Sequence, residues 1–148
     1  MTLIIRQATI GDLPQVHEMI GLLARQHGDV PTISAETLRR QIFDGEVGHL
    51  VVAGEEEGLL GYALLLARPN LVTGGIGHDI NHLFVVEWRR KAGIGRALIA
   101  ALRQVSLAAG AEYLTIGTHP ANVAAQAAYR QMGLRELPAA PRFKIELV

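Results

Sequence analysis

The sequence predicts a mixed α/β fold: a central mixed, mostly antiparallel sheet of about six to seven strands, with about four helices covering both faces. Three observations predict it. Strand-like and helix-like segments alternate in the order β-α-α-β-β-β-α-β-α-β-β. Three neighbouring strands with no helix between them pair antiparallel, while the β-α-β step that follows allows a parallel pair. A doubly wound parallel fold would alternate strand and helix more strictly than this chain does.

Each element has a local reason. Leu3 to Arg6 is a short β-branched run, read as the first strand. Thr9 or Asp12 then caps a helix with Pro14 in its first turn, and Leu13, Val16, Met19, Ile20 and Leu23 recur at helical spacing to about Gln26. Ser34 caps a second helix, with Leu38, Ile42 and Phe43 facing in. Residues 49–53 and 59–67 read as a hairpin whose turn carries Glu55, Glu56 and Glu57, taken as a solvated tip. After a Pro-, Asn- and Gly-containing loop, residues 79–86 read as a strand. Ile94, Ala97, Leu98, Ala101, Leu102 and Val105 then form one stripe of a long amphipathic helix that Gly110 ends. Residues 112–117 are the next strand. The last helix runs from Thr118 to Met132, and residues 134–137 and 142–147 read as final strands.

Composition narrows the function. The 148 residues fit one domain, 1–148, and 49% hydrophobic content is enough for a core. Lys+Arg and Asp+Glu both number 14, a balance that argues against broad nucleic-acid binding and against a membrane-surface role. Without cysteine there are no disulfides, thiolate metal sites or thiol nucleophile. The six histidines show no ligand spacing, so no metal is expected. No apolar stretch is long enough for a signal peptide or a membrane span, and a cytoplasmic protein is the simplest reading.

One segment carries chemistry. Arg90-Lys91-Ala92-Gly93-Ile94-Gly95-Arg96 joins a strand to a helix N-terminus. The first N–H groups of a helix lack internal partners, and its dipole places partial positive charge there. Glycines admit an anion close to the main chain, and Arg89, Arg90, Lys91 and Arg96 add charge. A phosphate loop of the GxxxxGK[ST] type is excluded because Arg96-Ala97 follows Gly95. A dinucleotide fold would put its glycines after the first strand, not in the second half of the chain. A small polyanion fits a neutral chain with one local basic cluster.

Three motifs in register resemble the GNAT superfamily of N-acetyltransferases. Arg90-x-x-Gly93-x-Gly95 is similar to its Q/R-x-x-G-x-G/A signature, with Leu83-Phe84-Val85 ahead of it at the family's spacing. Asn122-x-x-Ala125-x-x-x-Tyr129-x-x-x-Gly133-Leu134 resembles N-x-x-A-x-x-x-Y-x-x-x-G-F, and Ile5-Arg6-x-Ala8-Thr9-x-x-Asp12-Leu13-Pro14 is typical of the N-terminus. The resemblance implies acetyl-CoA as cofactor. It implies that the main chain of Leu83, Phe84 and Val85 pairs with the pantetheine arm. Arg90, Lys91, Ala92, Gly93, Ile94, Gly95 and Arg96 would cradle the pyrophosphate, Asn122 would help hold the arm, and Tyr129 would protonate the leaving thiolate. Asn122 and Tyr129, seven residues apart, share a helix face.

The family's acidic base on the strand before the last helix is absent, because Gly117 stands there. Other members place the base at the start of the strand feeding the cradle, where this chain has Asp79, the first candidate, and Asn81. His82 and His119 are alternatives, although a regular strand would turn His82 away from Asp79. A main-chain amide near Val85 would serve the oxyanion. The acceptor is a small-molecule or peptide amine, and a homodimer is a family-level expectation. The rival readings are a non-catalytic acyl-CoA sensor and a protein-interaction module on the same scaffold.

Overall fold

The computed structural model describes residues 2–45, 48–90 and 92–148. The chain divides into two compact units, Met1–Gly117 and Thr118–Val148.

The first unit is a five-stranded sheet with strands in chain order: β1 (Ile4–Gln7), β2 (His49–Glu55), β3 (Gly58–Pro69), β4 (Ile76–Val85) and β5 (Leu114–Ile116). The first three pairings are antiparallel and β4–β5 is parallel. The parallel step follows from the crossover through α3 (Ile94–Ala108), as a β-α-β connection requires. The other helices of this unit are α1 (Leu13–Gln26) and the short α2 (Ala35–Arg39), which continues into a wider turn over 40–44.

Alternation along the strands builds two cores. Leu50, Val52, Tyr62 and Phe84 pack with Leu13, Val16 and Met19 of α1 and Leu38 of α2. Val51 and Ala53, pointing the other way, are equally buried, and α3 lies against β1 to β4 with Leu98 and Leu102 fully enclosed. The chain enters α1 through a tight polar knot. The Asp12 carboxylate accepts from the Thr9 N–H at 2.7 Å and from both Arg6 guanidinium nitrogens, at 2.7 and 2.9 Å. This knot gives the N-terminal motif a structural meaning, since Asp12 joins β1 to the start of α1. At α2, Ser34 caps as the sequence indicates, its Oγ accepting from the Thr37 N–H at 3.1 Å.

The second unit consists of α4 (Val123–Gln131) and an extended tail. The six to seven strands expected reduce to five. Residues 134–137 and 142–147 form no ladder among the described residues. The alternation of Phe143, Ile145 and Leu147 with Arg142, Lys144 and Glu146 is a strand pattern, but a strand needs a hydrogen-bonded neighbour as well. Those three apolar side chains are 94%, 81% and 87% exposed. α4 also begins five residues later than expected, because 118–122 are turns. Among the described residues there are four α-helices, in agreement with the expectation of about four. No helix among the described residues is long and apolar enough to cross a membrane.

Candidate active site

The approach to α3 is built by commitments the sequence does not announce. Glu55 is no solvated tip. Its side chain is 7% exposed and holds Arg89 through two bonds of 2.9 and 2.8 Å. Arg90 donates from Nε to the Val85 carbonyl at 2.9 Å and from an Nη to Gln26 Oε1 at 2.8 Å, with its guanidinium over the Phe84 ring. Two of the four basic side chains credited to the cradle are therefore spent on fastening it, Arg89 to the hairpin turn and Arg90 to the end of α1. Lys91 lies outside the described residues. Arg96 is exposed and makes no ion pair among the described residues.

Ala92 is exposed, and Gly93 takes φ +85° as the residue before α3, a left-handed conformation that a side chain would strain. Ala97 is the first residue of the helix whose N–H finds an acceptor, Gly93 O at 2.9 Å. Among the described residues the N–H groups of Ile94, Gly95 and Arg96 have none, as a helix start dictates. A Cβ at Gly93 would meet nothing within 4 Å, and at Gly95 only Val85 Cγ2 at 3.9 Å. The glycines thus place no side chain beside three amides that have no partner among the described residues, at the positive end of a helix dipole, a setting that accepts an oxyanion. Ile94 itself is buried and anchors the turn.

The preceding strand offers a second unpaired surface. β5 pairs with β4 only over His78, Asp79 and Ile80. From Asn81 to Val85 that edge of β4 has no strand beside it among the described residues. Val86 N–H donates to Leu60 O at 2.8 Å, which fixes the hydrogen-bonding parity. Phe84 and His82 turn their main-chain groups to β3, and Leu83 and Val85 turn theirs to the open edge. Of the three residues expected to pair with a cofactor arm, two present main-chain groups to that edge. Phe84 instead contributes a buried ring.

A β-bulge changes which side chains share a face. Leu64 pairs with His82, Leu65 with Ile80 and Leu66 with Asp79, so Asn81 is an extra residue in β4. Leu64 and Leu66 point the same way, and their partners therefore do too. Asp79 and His82 lie on one face, the face of α1, contrary to the regular-strand expectation. Asp79 Oδ1 accepts from the Thr115 hydroxyl at 2.6 Å, while Oδ2 makes no hydrogen bond among the described residues. The His82 Nδ1 lies 3.2 Å from the hydroxyl of Tyr62. Burial, and to a lesser degree the charge of His27 at the end of α1, lowers the pKa of His82. Tyr62 is 1% exposed, and burial raises its phenol well above the ordinary range. Beside this face, Leu22, Arg25 and Gln26 of α1 enclose a cleft of about 530 Å³ with Phe84, Glu87 and Arg90. Tyr62 and Thr115 carry no motif. Within an apolar run and a short strand, respectively, their hydroxyls gain meaning only from the register.

In the second unit, Asn122 is the N-cap of α4, its Oδ1 accepting from the Ala125 N–H at 3.1 Å. That bond commits its oxygen and leaves the Nδ2 donor. His119 Nδ1 accepts from the Ala121 N–H at 3.0 Å, so this alternative base shapes the turn before the helix. Tyr129 is partly buried, and burial raises its phenol pKa, so it stays protonated at neutral pH.

The start of α3 is thus fed by a strand with an open edge, within a five-stranded mixed sheet. The chain belongs to the acetyltransferase (GNAT) family, whose model matches residues 16–134. No curated protein matches it in sequence. Solved structures do match in shape. A ribosomal-protein-alanine N-acetyltransferase from Brucella melitensis superposes with TM-score 0.83 at 16% identity, over 98% of this chain and 100% of its own. An aminoglycoside acetyltransferase from an uncultured soil metagenomic sample gives 0.82 at 20%, over 97% of both chains. An acetyltransferase from Trypanosoma brucei gives 0.80 at 22%, over 97% of this chain and 100% of its own. At these identities the likeness is one of fold.

Proposed function

We propose that the chain, residues 1–148 acting as one acetyltransferase domain, transfers an acetyl group from acetyl-CoA to a primary amine, in the cytoplasmic setting that the sequence suggests. One observation carries the reading: three amides at the start of α3 with no partner among the described residues and no glycine side chain beside them, continuous with an open strand edge. A pyrophosphate suits the amides of Ile94, Gly95 and Arg96. A pantetheine arm, which carries amide groups of its own, suits the outward main chain of Leu83 and Val85. Arg90 supports the cradle through Val85 O, Lys91 and Arg96 add charge, Ala92 and Gly93 complete the turn, Phe84 backs it, and Asn122 offers its Nδ2.

Acetyl-CoA, when bound, supplies an acyl thioester whose carbonyl carbon an amine attacks. The residues of the chain have three tasks. An alkylamine with a pKa near 10.4 costs about 4.6 kcal/mol to deprotonate at pH 7, and Asp79 takes that proton, directly or through water, on the oxygen that Thr115 leaves free. The Val85 N–H, fixed in a strand, donates to the oxyanion. Tyr129, held protonated by burial, gives its proton to the departing sulfur. The neighbours are named for an aminoglycoside and for a ribosomal protein, so the reading commits to the amine and not to what carries it.

The test is calorimetric titration with acetyl-CoA, followed by thiol release with a panel of primary amines. Micromolar binding and amine-dependent release are expected. Absence of binding overturns the reading, and binding without release on any amine turns it into that of an acyl-CoA sensor.

A further inference from the structure

Tyr62 and His82 belong to neither the cradle nor the proton transfers above, yet they form a polar pair at the one place where β4 changes register. The Tyr62 hydroxyl is buried, and a buried donor left without an acceptor is costly. Among the described residues its only partner is His82 Nδ1. The buried O–H has no other acceptor among the described residues, so it donates and Nδ1 accepts. This assigns the tautomer: the ring hydrogen of neutral His82 is on Nε2. His82 is desolvated where it meets Tyr62 yet keeps part of its surface open to solvent, and Nε2 makes no hydrogen bond among the described residues. One end of the imidazole is thus pinned to the core and the other is an outward N–H donor of fixed direction.

Its position gives this donor a use. The bulge at Asn81 places His82 on the same face as Asp79. Their β3 partners, Leu64 and Leu66, are two residues apart, so the two side chains leave the sheet about 7 Å from one another. One is a carboxylate with a free oxygen, suited to an amine. The other is a neutral N–H donor, suited to an oxygen.

We propose that the Tyr62–His82 pair is an acceptor-recognition device, with the His82 Nε2–H binding an oxygen of the substrate. The acceptors selected are primary amines that also carry a hydroxyl, carbonyl or carboxylate oxygen a few bonds away. This rests on the acetyltransferase reading and narrows its acceptor. A base at His82 would need a free lone pair on Nε2, which the tautomer denies it. His82 is therefore a specificity residue and Tyr62 a positioning residue.

Two measurements test it. In long-range nitrogen–proton spectra of the imidazoles of the full chain, His82 shows the Nε2–H form alone, and Tyr62→Phe lets the Nδ1–H form appear beside it. With CoA present, titration by 4-aminobutan-1-ol shifts the His82 signals, whereas butan-1-amine leaves them in place. Among variants, His82→Gln retains selectivity for the amino alcohol, because an amide offers an acceptor to Tyr62 and a donor outward. His82→Leu turns over both amines alike. A His82 found in the Nδ1–H form, equal or absent shifts with the two amines, or a Gln variant as unselective as the Leu variant overturns the proposal. The acetyl-CoA titration of the unmodified chain is decided separately, so failure here and failure of the acetyltransferase reading remain distinct.

Discussion

Replacing Gly95 separates the ligand's need for a bare backbone from the protein's own. Gly95 is inside α3, and only Val85 Cγ2, at 3.9 Å, lies near its would-be Cβ. The fold therefore does not require glycine there. Alanine is favoured over glycine in a helix by about 0.5–1 kcal/mol, and for a chain of this length that raises the melting temperature by about 2–4 °C per kcal/mol. The family signature admits alanine at this position, so Gly95→Ala should bind acetyl-CoA within about threefold of the unmodified chain, a change of about 0.7 kcal/mol. Valine is different. Its branches occupy the space over the Ile94, Gly95 and Arg96 amides while leaving helix stability within about 0.5 kcal/mol of glycine. A hydrogen bond to a charged group contributes about 1.5–3 kcal/mol, so losing one or two predicts a dissociation constant about 100-fold higher for Gly95→Val. Calorimetry on both variants, with thermal melts to show that they fold, is the assay. A folded Gly95→Val that binds like the unmodified chain would refute the cradle.

Four further outcomes are expected. Gly93→Ala forces a side chain into φ +85° and should cost about 1–2 kcal/mol in urea unfolding, with nothing nearby to relieve it. Leu98→Ala empties a fully buried position and should cost about 2–5 kcal/mol. Tyr129→Phe should lower turnover while leaving the acetyl-CoA dissociation constant within about twofold, the signature of a group that acts at the departing thiolate. Asp12 is held at about 2 by its bond from Arg6, below the usual 3.8. Its folded value is depressed, so its contribution is present above pH 4 and is lost as pH falls toward 2. Arg6 is 45% exposed, and solvent screening reduces the effect to about 1–2 kcal/mol. The stability gap between Asp12→Asn and the unmodified chain should be flat from pH 7 to 5 and close toward pH 2.

The legible parts of the chain were those fixed by local rules. Ile94, Leu98 and Leu102 announce α3 through spacing alone, and Gly93 marks its start because glycine there answers to backbone geometry. Ser34 and Thr37 behave as a cap does in any protein. What escaped was pairing over distance. Arg90 reads as a phosphate ligand until Val85 O and Gln26, 64 residues away in the chain, claim its guanidinium. Glu55 reads as a solvated acid until Arg89 folds onto it. The tail from Leu134 onward reads as two strands, because composition encodes the wish to be a strand and not the presence of a neighbour.

The bulge at Asn81 matters more than any of these, because period-2 reasoning is parity arithmetic. One extra residue inverts every assignment beyond it. Counting from Asp79 along an ideal strand turns His82 away from the α1 face, and the observed register returns it. The inversion also keeps His82, Phe84 and Tyr62 together on the side of α1, while Leu83 and Val85 keep their main-chain groups toward the open edge. The strand can thus show main chain to one ligand along its edge and side chains to another across its face. A deletion of Asn81 that preserved β3–β4 pairing would remove the bulge and leave His82 opposite Leu64, on the α1 face with Asp79. Such a variant should keep the His82–Tyr62 bond and the selectivity between amino alcohol and plain amine. It should still bind acetyl-CoA, since Leu83, Val85 and the start of α3 lie beyond the bulge and shift together. If selectivity were lost while β3–β4 pairing and acetyl-CoA binding survived, the place of His82 opposite Leu64 would not be what selects the acceptor.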